Sequence, residues 1–220
     1  DDIWLAGKVE WAAAAITDNA SEDPVLYCGR SYLTDESLKP CGVIDPVPKG
    51  PSLANALVQN IAPGHTMAMN AAMVRLAAAT LRPGEVVMHD CWLYLVAAAV
   101  GHVIVDQQPH AYYRQHSGNE EGYRYGRLAR AVNELRRLGS RDRSEWTRQA
   151  QALLETVGPR LKPADLAQVQ AFLTQDTIRS RLRYLRRYGF VYQVKRLPLA
   201  AMALYGLGRY RVGQASLIYA

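Results

Sequence analysis

The sequence has no uninterrupted apolar run near the roughly 18 to 20 residues that a helix needs to span a bilayer. Its acidic start, DDIWLAGKVEW, lacks the basic-then-apolar order of a signal peptide. Paired cysteines are also missing: Cys28, Cys41 and Cys91 form no Cys-x-x-Cys unit and leave an odd thiol. That argues against a zinc ribbon or a secreted disulfide scaffold and favours a reducing compartment, the cytoplasm. No internal repeat or low-complexity tract appears. With 49% hydrophobic and 21% charged residues, and 16 Gly and 11 Pro spread along 220 positions, the chain is neither collagenous nor a disordered tail but a globular protein with a sizeable core. An initiating Met is absent too, and the opening pair of aspartates suggests a piece of a longer protein.

What is present is distributed unevenly. Residues 1–120 hold 7 basic and 13 acidic groups, a net −6, together with all five histidines, whereas residues 121–220 hold 19 and 7, a net +12. Such a split predicts an acidic, histidine-bearing part able to hold a cation, then a basic part drawn to polyanions or to an anionic membrane surface. The boundary falls near 118–122.

In the first part, Lys8 to Thr17 is alanine-rich and predicts a short helix, and VLYCGRSYLTD, Val25 to Asp35, is β-branched and aromatic and predicts a strand. Asp45 to Ser52 is a Pro- and Gly-rich loop whose Ser52 can cap a helix over LANALVQN. After Pro63-Gly64, HTMAMN predicts a short strand and AAMVRLAAATL a helix. Met88 to Gly101 predicts an apolar helix with an ionisable pair at its start, followed by the strand HVIVD and the segment Pro109 to Asn119. Strands and helices alternate, so the expected fold class is α/β.

Three groups of residues could carry chemistry. Asp1 and Asp2 are adjacent carboxylates, which suit a hard divalent cation such as Mg²⁺ or Mn²⁺ beside phosphate oxygens, or simply a solvated end. His89-Asp90 opens the apolar helix, where Asp90 is either an N-terminal cap favoured by the helix dipole or a general base on a rigid support. Arg114, His116 and Asn119 follow a strand. Arginine suits phosphate, and histidine suits a metal or a phosphate oxygen.

In order and separation, DDIWLAGKVE, PGHTMAMNAAMV and HDCWLYLVAAAVGHVIVDQQPHAYYRQHSGNEEG resemble the second half of a bacterial family 2 glycosyltransferase of the rhamnosyltransferase-like group, over about residues 1–122. The resemblance implies a partial GT-A domain whose nucleotide-binding half lies ahead of Asp1. Asp1 would be the second aspartate of the Asp-X-Asp motif and a ligand of the divalent cation with His116, and Asp2 and Arg114 would lie at the donor diphosphate. His-Asp-x-Trp, here His89, Asp90, Cys91 and Trp92, matches the catalytic-base motif with Asp90 as base, and Cys91 departs from a commonly aromatic position. By the same resemblance His65, Thr66, Asn70, His89 and Trp92 line the acceptor region, although a plain packed strand would equally explain His65, Thr66 and Asn70. The implied partners are a nucleotide-sugar donor and a glycan or lipid-linked glycan acceptor, with no nucleic acid. The implied reaction is hexosyl transfer, rhamnosyl in the group it resembles, in cell-surface polysaccharide synthesis. One carboxylate base and a cation-stabilised leaving group imply a single displacement with inversion. The chain by itself would then be inactive.

From Glu120 onward the pattern is helical and basic: YRYGRLARAVNELRRL, then a helix from Ser144, then one from Pro163 to Tyr188. Ile178, Leu182 and Leu185 form a stripe facing core or membrane, flanked by Arg179, Arg183, Arg186 and Arg187. The apolar run Leu197 to Leu207 is too short to span but suits an interfacial anchor on the inner membrane face. Two other readings stand beside the transferase. One is a metal-dependent phosphohydrolase using His65, His89-Asp90 and a later Asp, which would need an all-helical fold. The other is a nucleic-acid-binding module gripping phosphates with the arginine-rich helices.

Overall fold

The structure is a computed structural model that describes residues 2–18, 22–82, 86, 88–115, 144–193 and 198–211. It is a mixed α/β fold with one mixed five-stranded sheet. The elements run β1 (Ile3–Trp4), α1 (Lys8–Asp18), β2 (Val25–Thr34), β3 (Pro40–Val43), α2 (Leu53–Ala56), a 3₁₀ turn (Gly64–Thr66), β4 (Ala68–Met69), α3 (Ala71–Thr80), α4 (His89–Val100) and β5 (His102–Arg114). Four helices follow: α5 (Ser144–Val157), α6 (Pro163–Leu173), α7 (Ile178–Arg187) and α8 (Pro198–Gly206). The sheet removes the all-helical architecture on which the phosphohydrolase reading depends.

The sheet is built around β2, whose β-branched and aromatic residues are buried on both faces. It pairs parallel with β5 from Val25↔His102 to Thr34↔Arg114, and antiparallel with β3 and β4. On the other side of β5, β1 covers only its C-terminal end, Ile3 opposite Tyr112 and Trp4 opposite Ala111. Where a strand was expected to end at Asp106, before a segment from Pro109 onward, the chain continues as one 13-residue strand, His102–Arg114. The pairing with β2 absorbs Pro109 at an irregularity opposite Arg30, the setting in which a strand tolerates a residue without an N–H donor.

Alternation along β2 sends Leu26 and Cys28 toward α4 and Tyr27 toward α1. Beneath α1, the Asp106 carboxylate accepts from Tyr27 Oη at 2.9 Å and from the Gln108 amide at 2.8 Å, and it pairs with His110 Nε2 at 2.7 Å. The His110 ring in turn packs on Trp11 of α1. Desolvation pushes the Asp106 carboxyl up, but these donors outweigh it and hold the group below the ordinary carboxylate range. A depressed folded-state value stabilises the fold above the unfolded value and is lost as pH falls through the folded one. Asp106→Ala is therefore expected to cost about 1–2 kcal/mol at neutral pH, since it strands the Tyr27 hydroxyl. In urea titrations the gap from the parent chain should narrow below about pH 4. A gap that is constant down to acid pH would assign the loss to packing alone.

Helix α4 is apolar around most of its circumference and is accordingly buried, with Trp92, Tyr94, Leu95, Val96 and Ala97 inaccessible between the sheet and α5. One continuous hydrophobic cluster runs from Leu26 and Cys28 through α4 into α5, α6 and an aromatic group of Phe172, Tyr184, Phe190, Tyr205 and Tyr210. Polar ties reinforce it: Asn55 Nδ2 donates to the Val191 carbonyl at 2.6 Å and Lys49 Nζ to the Tyr192 carbonyl at 2.6 Å. Helices α5–α8, in the basic part of the sequence, thus share a core with the sheet, and the boundary expected near 122 falls outside the described residues.

Three further expected elements differ, the first being HTMAMN, which divides between the 3₁₀ turn and the two-residue β4. LANALVQN forms one helical turn, Leu53–Ala56, capped as expected by Ser52 Oγ, which accepts from the Asn55 amide. The helix expected from Pro163 to Tyr188 is two helices. Thr177 starts the second with a capping box to Ser180, and this competes successfully with continuation of the first. The expected helix over residues 123–138 lies outside the described residues.

Candidate functional site

Parallel β2 and β5 end side by side at Thr34 and Arg114, and β1 brings Asp2 to the same edge. In α/β sheets the carboxyl ends of parallel strands are where ligands sit. Asp2 Oδ1 lies 3.4 Å from the Arg114 backbone N–H, and Asp2 Oδ2 lies 3.6 Å from His65 Nδ1. His65 Nε2 is 2.7 Å from Ser31 Oγ, and its ring stacks on Tyr113 with centroids 4.9 Å apart. Trp4 Nε1 donates to the His65 carbonyl at 3.1 Å and leaves the indole at the rim.

Burial lowers the His65 pKa. Asp2 and Asp90 act against that, and Lys8 and Arg30 add to it, so the ring is neutral at pH 7. A neutral imidazole has one donor and one acceptor nitrogen. Asp2 beside Nδ1 selects the tautomer with hydrogen there, leaving Nε2 to accept from the Ser31 hydroxyl. The order Ser31, His65, Asp2 is that of a nucleophilic triad, but Ser31 is 0% exposed within a paired strand and no substrate carbon can reach it. Ser31 orients His65 instead.

His65 stands on the 3₁₀ turn Gly64–Thr66, which rests on the start of α4. A Cβ at Gly64 would lie 2.8 Å from His89 Nε2 and 3.5 Å from Asp90 Cβ, so only glycine permits this approach without displacement. Asp90 is the second residue of α4, 7% exposed, and its Oδ1 accepts from the Cys91 amide at 2.8 Å. The N-cap is Met88, which corrects the reading of Asp90 as the cap. Among the described residues Oδ2 accepts no hydrogen bond.

The structure therefore gathers Asp2, the Arg114 backbone, His65, His89 and Asp90 at one edge. It does not gather three other expected site residues. Thr66 Oγ1 closes its own turn on the Pro63 carbonyl at 2.7 Å. Asn70 caps α3 and holds the opposite end of β2, with Oδ1 accepting from the Met73 and Val25 amides and Nδ2 donating to the Asp23 carbonyl. Trp92 is a core residue whose indole N–H meets Thr80 Oγ1 at 3.3 Å. Asp1 and His116 lie outside the described residues, as does Asn119. Among the described residues no group of three or more His, Cys, Asp or Glu is arranged to hold a metal.

Ser31 and Trp4 were missed by sequence reasoning. Ser31 had a signal: Arg30, Ser31 and Thr34 are polar residues in an otherwise apolar strand, the pattern of groups kept inside for hydrogen bonding. Arg30 proves to be a staple, donating to the Ile61 carbonyl at 2.7 Å and reaching the Asp45 carbonyl at 3.4 Å. A scan against protein-family models, a search of curated proteins and a search of solved structures each returned no match.

Proposed function

We propose that this chain carries the acceptor and catalytic half of an inverting, GT-A-type glycosyltransferase that moves a sugar, rhamnose in the group it resembles, from a nucleotide-sugar donor to a glycan or lipid-linked glycan. The observation that carries the reading is the approach of the Gly64–His65 turn to the start of α4. It puts a nearly buried carboxylate with an uncommitted Oδ2, Asp90, beside the edge occupied by Asp2 and Arg114. In this reading Asp90 accepts the proton of the incoming hydroxyl. Neutral His65, held by Ser31 and Asp2, offers no competing charge to the sugar, and the half-exposed Trp4 gives the ring a flat apolar face.

A divalent cation, Mg²⁺ or Mn²⁺, would be held by Asp1 and His116. The contact between Asp2 and Arg114 fits such a site, because Asp2 adjoins Asp1 in the chain and Arg114 stands two positions before His116. Carboxylate and imidazole are also suitable donors for Mn²⁺, and carboxylate for Mg²⁺. When bound, the cation neutralises charge on the departing diphosphate. The Arg114 side chain would approach the same phosphates. Since Asp90 acts as base on the incoming hydroxyl and no carboxylate is assigned as a nucleophile at the sugar carbon, the displacement is direct and inverts the anomeric centre.

The test is division of labour. These 220 residues alone are expected to turn over no nucleotide-sugar with Mn²⁺. Joined to a nucleotide-binding half, they should transfer the sugar with inversion, read from the anomeric proton coupling or carbon shift of the product by NMR. Metal-dependent transfer by the 220 residues alone would refute the division, and a retained anomeric configuration would refute the assignment of Asp90 as sole carboxylate.

A further inference from the structure

The sequence stripe Ile178, Leu182, Leu185 was expected to face core or membrane as a unit, and the structure splits it. The side of α7 turned to the core carries Tyr184 and Arg181, whose guanidinium donates to the Gln175 carbonyl at 2.6 Å and the Gly206 carbonyl at 3.0 Å. Leu185 packs beside Gly206 of α8. Ile178 and Leu182, one turn apart, remain 56% and 52% exposed. At 100° per residue, Arg186, Arg179, Arg183 and Arg187 continue the exposed arc directly from Leu182, and all four are exposed. No acidic residue lies on α7.

Helix α8, which packs on α7, has no charged residue and buries Ala201 and Tyr205 in the aromatic core. Its Leu199 points outward at 76% exposure. The anchor expected over Leu197 to Leu207 is thus half committed to the core, with Ala201 and Tyr205 buried and Leu199 left exposed.

We propose that the exposed face of α7 docks on an anionic membrane surface, with Ile178 and Leu182 entering the headgroup layer and the α7 arginines meeting lipid phosphates. The combination selects this occupant. A nucleic acid would take the arginines and leave two aliphatic side chains in water. A second copy of the chain in a two-fold contact would set this arginine face against itself. An anionic bilayer surface meets both chemistries at once, a phosphate layer above an apolar one, and holds short helices lying in its plane. No helix among the described residues is long and apolar enough to cross it. The proposal does not rest on the transferase reading.

Sedimentation of the full chain with vesicles tests it. Binding is expected to phosphatidylcholine vesicles containing phosphatidylglycerol, little to phosphatidylcholine alone, with release as salt rises over the range where the Debye length falls below about 10 Å. Ile178→Ser with Leu182→Ser should lower the partition coefficient about tenfold. Arg179→Gln with Arg183→Gln should lower it about fivefold for each arginine removed. These side chains are exposed, so circular dichroism and melting should match the parent, and Val74→Ser, an exposed aliphatic on α3, should bind as the parent does. The arginine variant stands as a separate arm if the aliphatic one misfolds. Absence of binding at low salt overturns the proposal. So does binding to phosphatidylglycerol vesicles that ignores the Ile178 and Leu182 changes, because arginine charge alone would then explain it. Self-association seen by light scattering and abolished by Leu182→Ser, without vesicle binding, would assign the face to a second copy instead.

Discussion

Asp90→Asn is expected to lower turnover by about 10² to 10⁴, the range for loss of a general base, while leaving donor binding nearly unchanged. The substitution isolates the chemistry well. Asn retains a carbonyl oxygen at Oδ1, so the bond from the Cys91 amide that fixes the side chain survives, and the volume at a 7% exposed position hardly changes. What is lost is the capacity of Oδ2 to take a proton. The fold should therefore melt as before. The side chain at position 91 does not enter this test, because the Cys91 backbone N–H, which any residue but proline would supply, is what orients Asp90. The measurement is initial-rate kinetics with the nucleotide-binding half present, alongside calorimetric donor titration. Turnover within a few-fold of the parent would remove Asp90 from the mechanism. Weakened donor binding with unchanged turnover at saturation would make it a binding residue.

The class of the fold was legible because its signals are local. Lys8–Asp18, Val25–Thr34 and His89–Val100 each carry composition, period and end signals that agree, and tertiary packing had nothing to overrule. The candidate site was legible where a motif names residues that are neighbours along the chain, as with His89 and Asp90, which the structure brings beside the Gly64–His65 turn. It was illegible where the arrangement depends on contacts between distant segments. Ser31 reaches His65 across 34 positions and Trp4 reaches it across 61, and no pattern in one sequence announces either. Errors in the acceptor region share one physical cause. Thr66, Asn70 and Trp92 sit near motif residues in sequence, but a 3₁₀ turn, a helix cap and a helix period turn them away. Similarly, the α7 stripe satisfied a period without its phase. The deeper face of that helix is filled by Tyr184 and by Arg181, whose guanidinium finds two carbonyls inside, and this frees two aliphatics to face outward.

Gly101→Ala is expected to destabilise the chain by about 3 kcal/mol, at the upper end of the range for overpacking, although no ligand or site residue touches it. Gly101 ends α4, and His102 begins β5 immediately after it. A Cβ on Gly101 would overlap the Pro24 carbonyl oxygen and lie 3.2 Å from its carbonyl carbon. These are backbone atoms, so no rotamer change can relieve the overlap. Nor can Pro24 retreat cheaply. Its carbonyl accepts from the His102 amide at 2.8 Å, and the next residue, Val25, accepts the Asn70 amide and donates to the Asn70 side chain. Displacement would thus break the first rung of the β2–β5 pairing and the cap of α3 together. The dihedral angles of Gly101 lie at φ −144° and ψ −151°, so the cost comes from the close approach and not from a left-handed backbone. Gly29→Ala in the same strand pair is the comparison. Its Cβ would meet nothing nearer than 3.6 Å, ordinary contact, and its melting temperature should stay near the parent's. Gly101→Ala should instead melt about 6–12 °C lower for a chain of this length. Equal melting of the two variants would show that Pro24 can yield, and that the start of the parallel pair is not what holds α4, and with it Asp90, against the sheet.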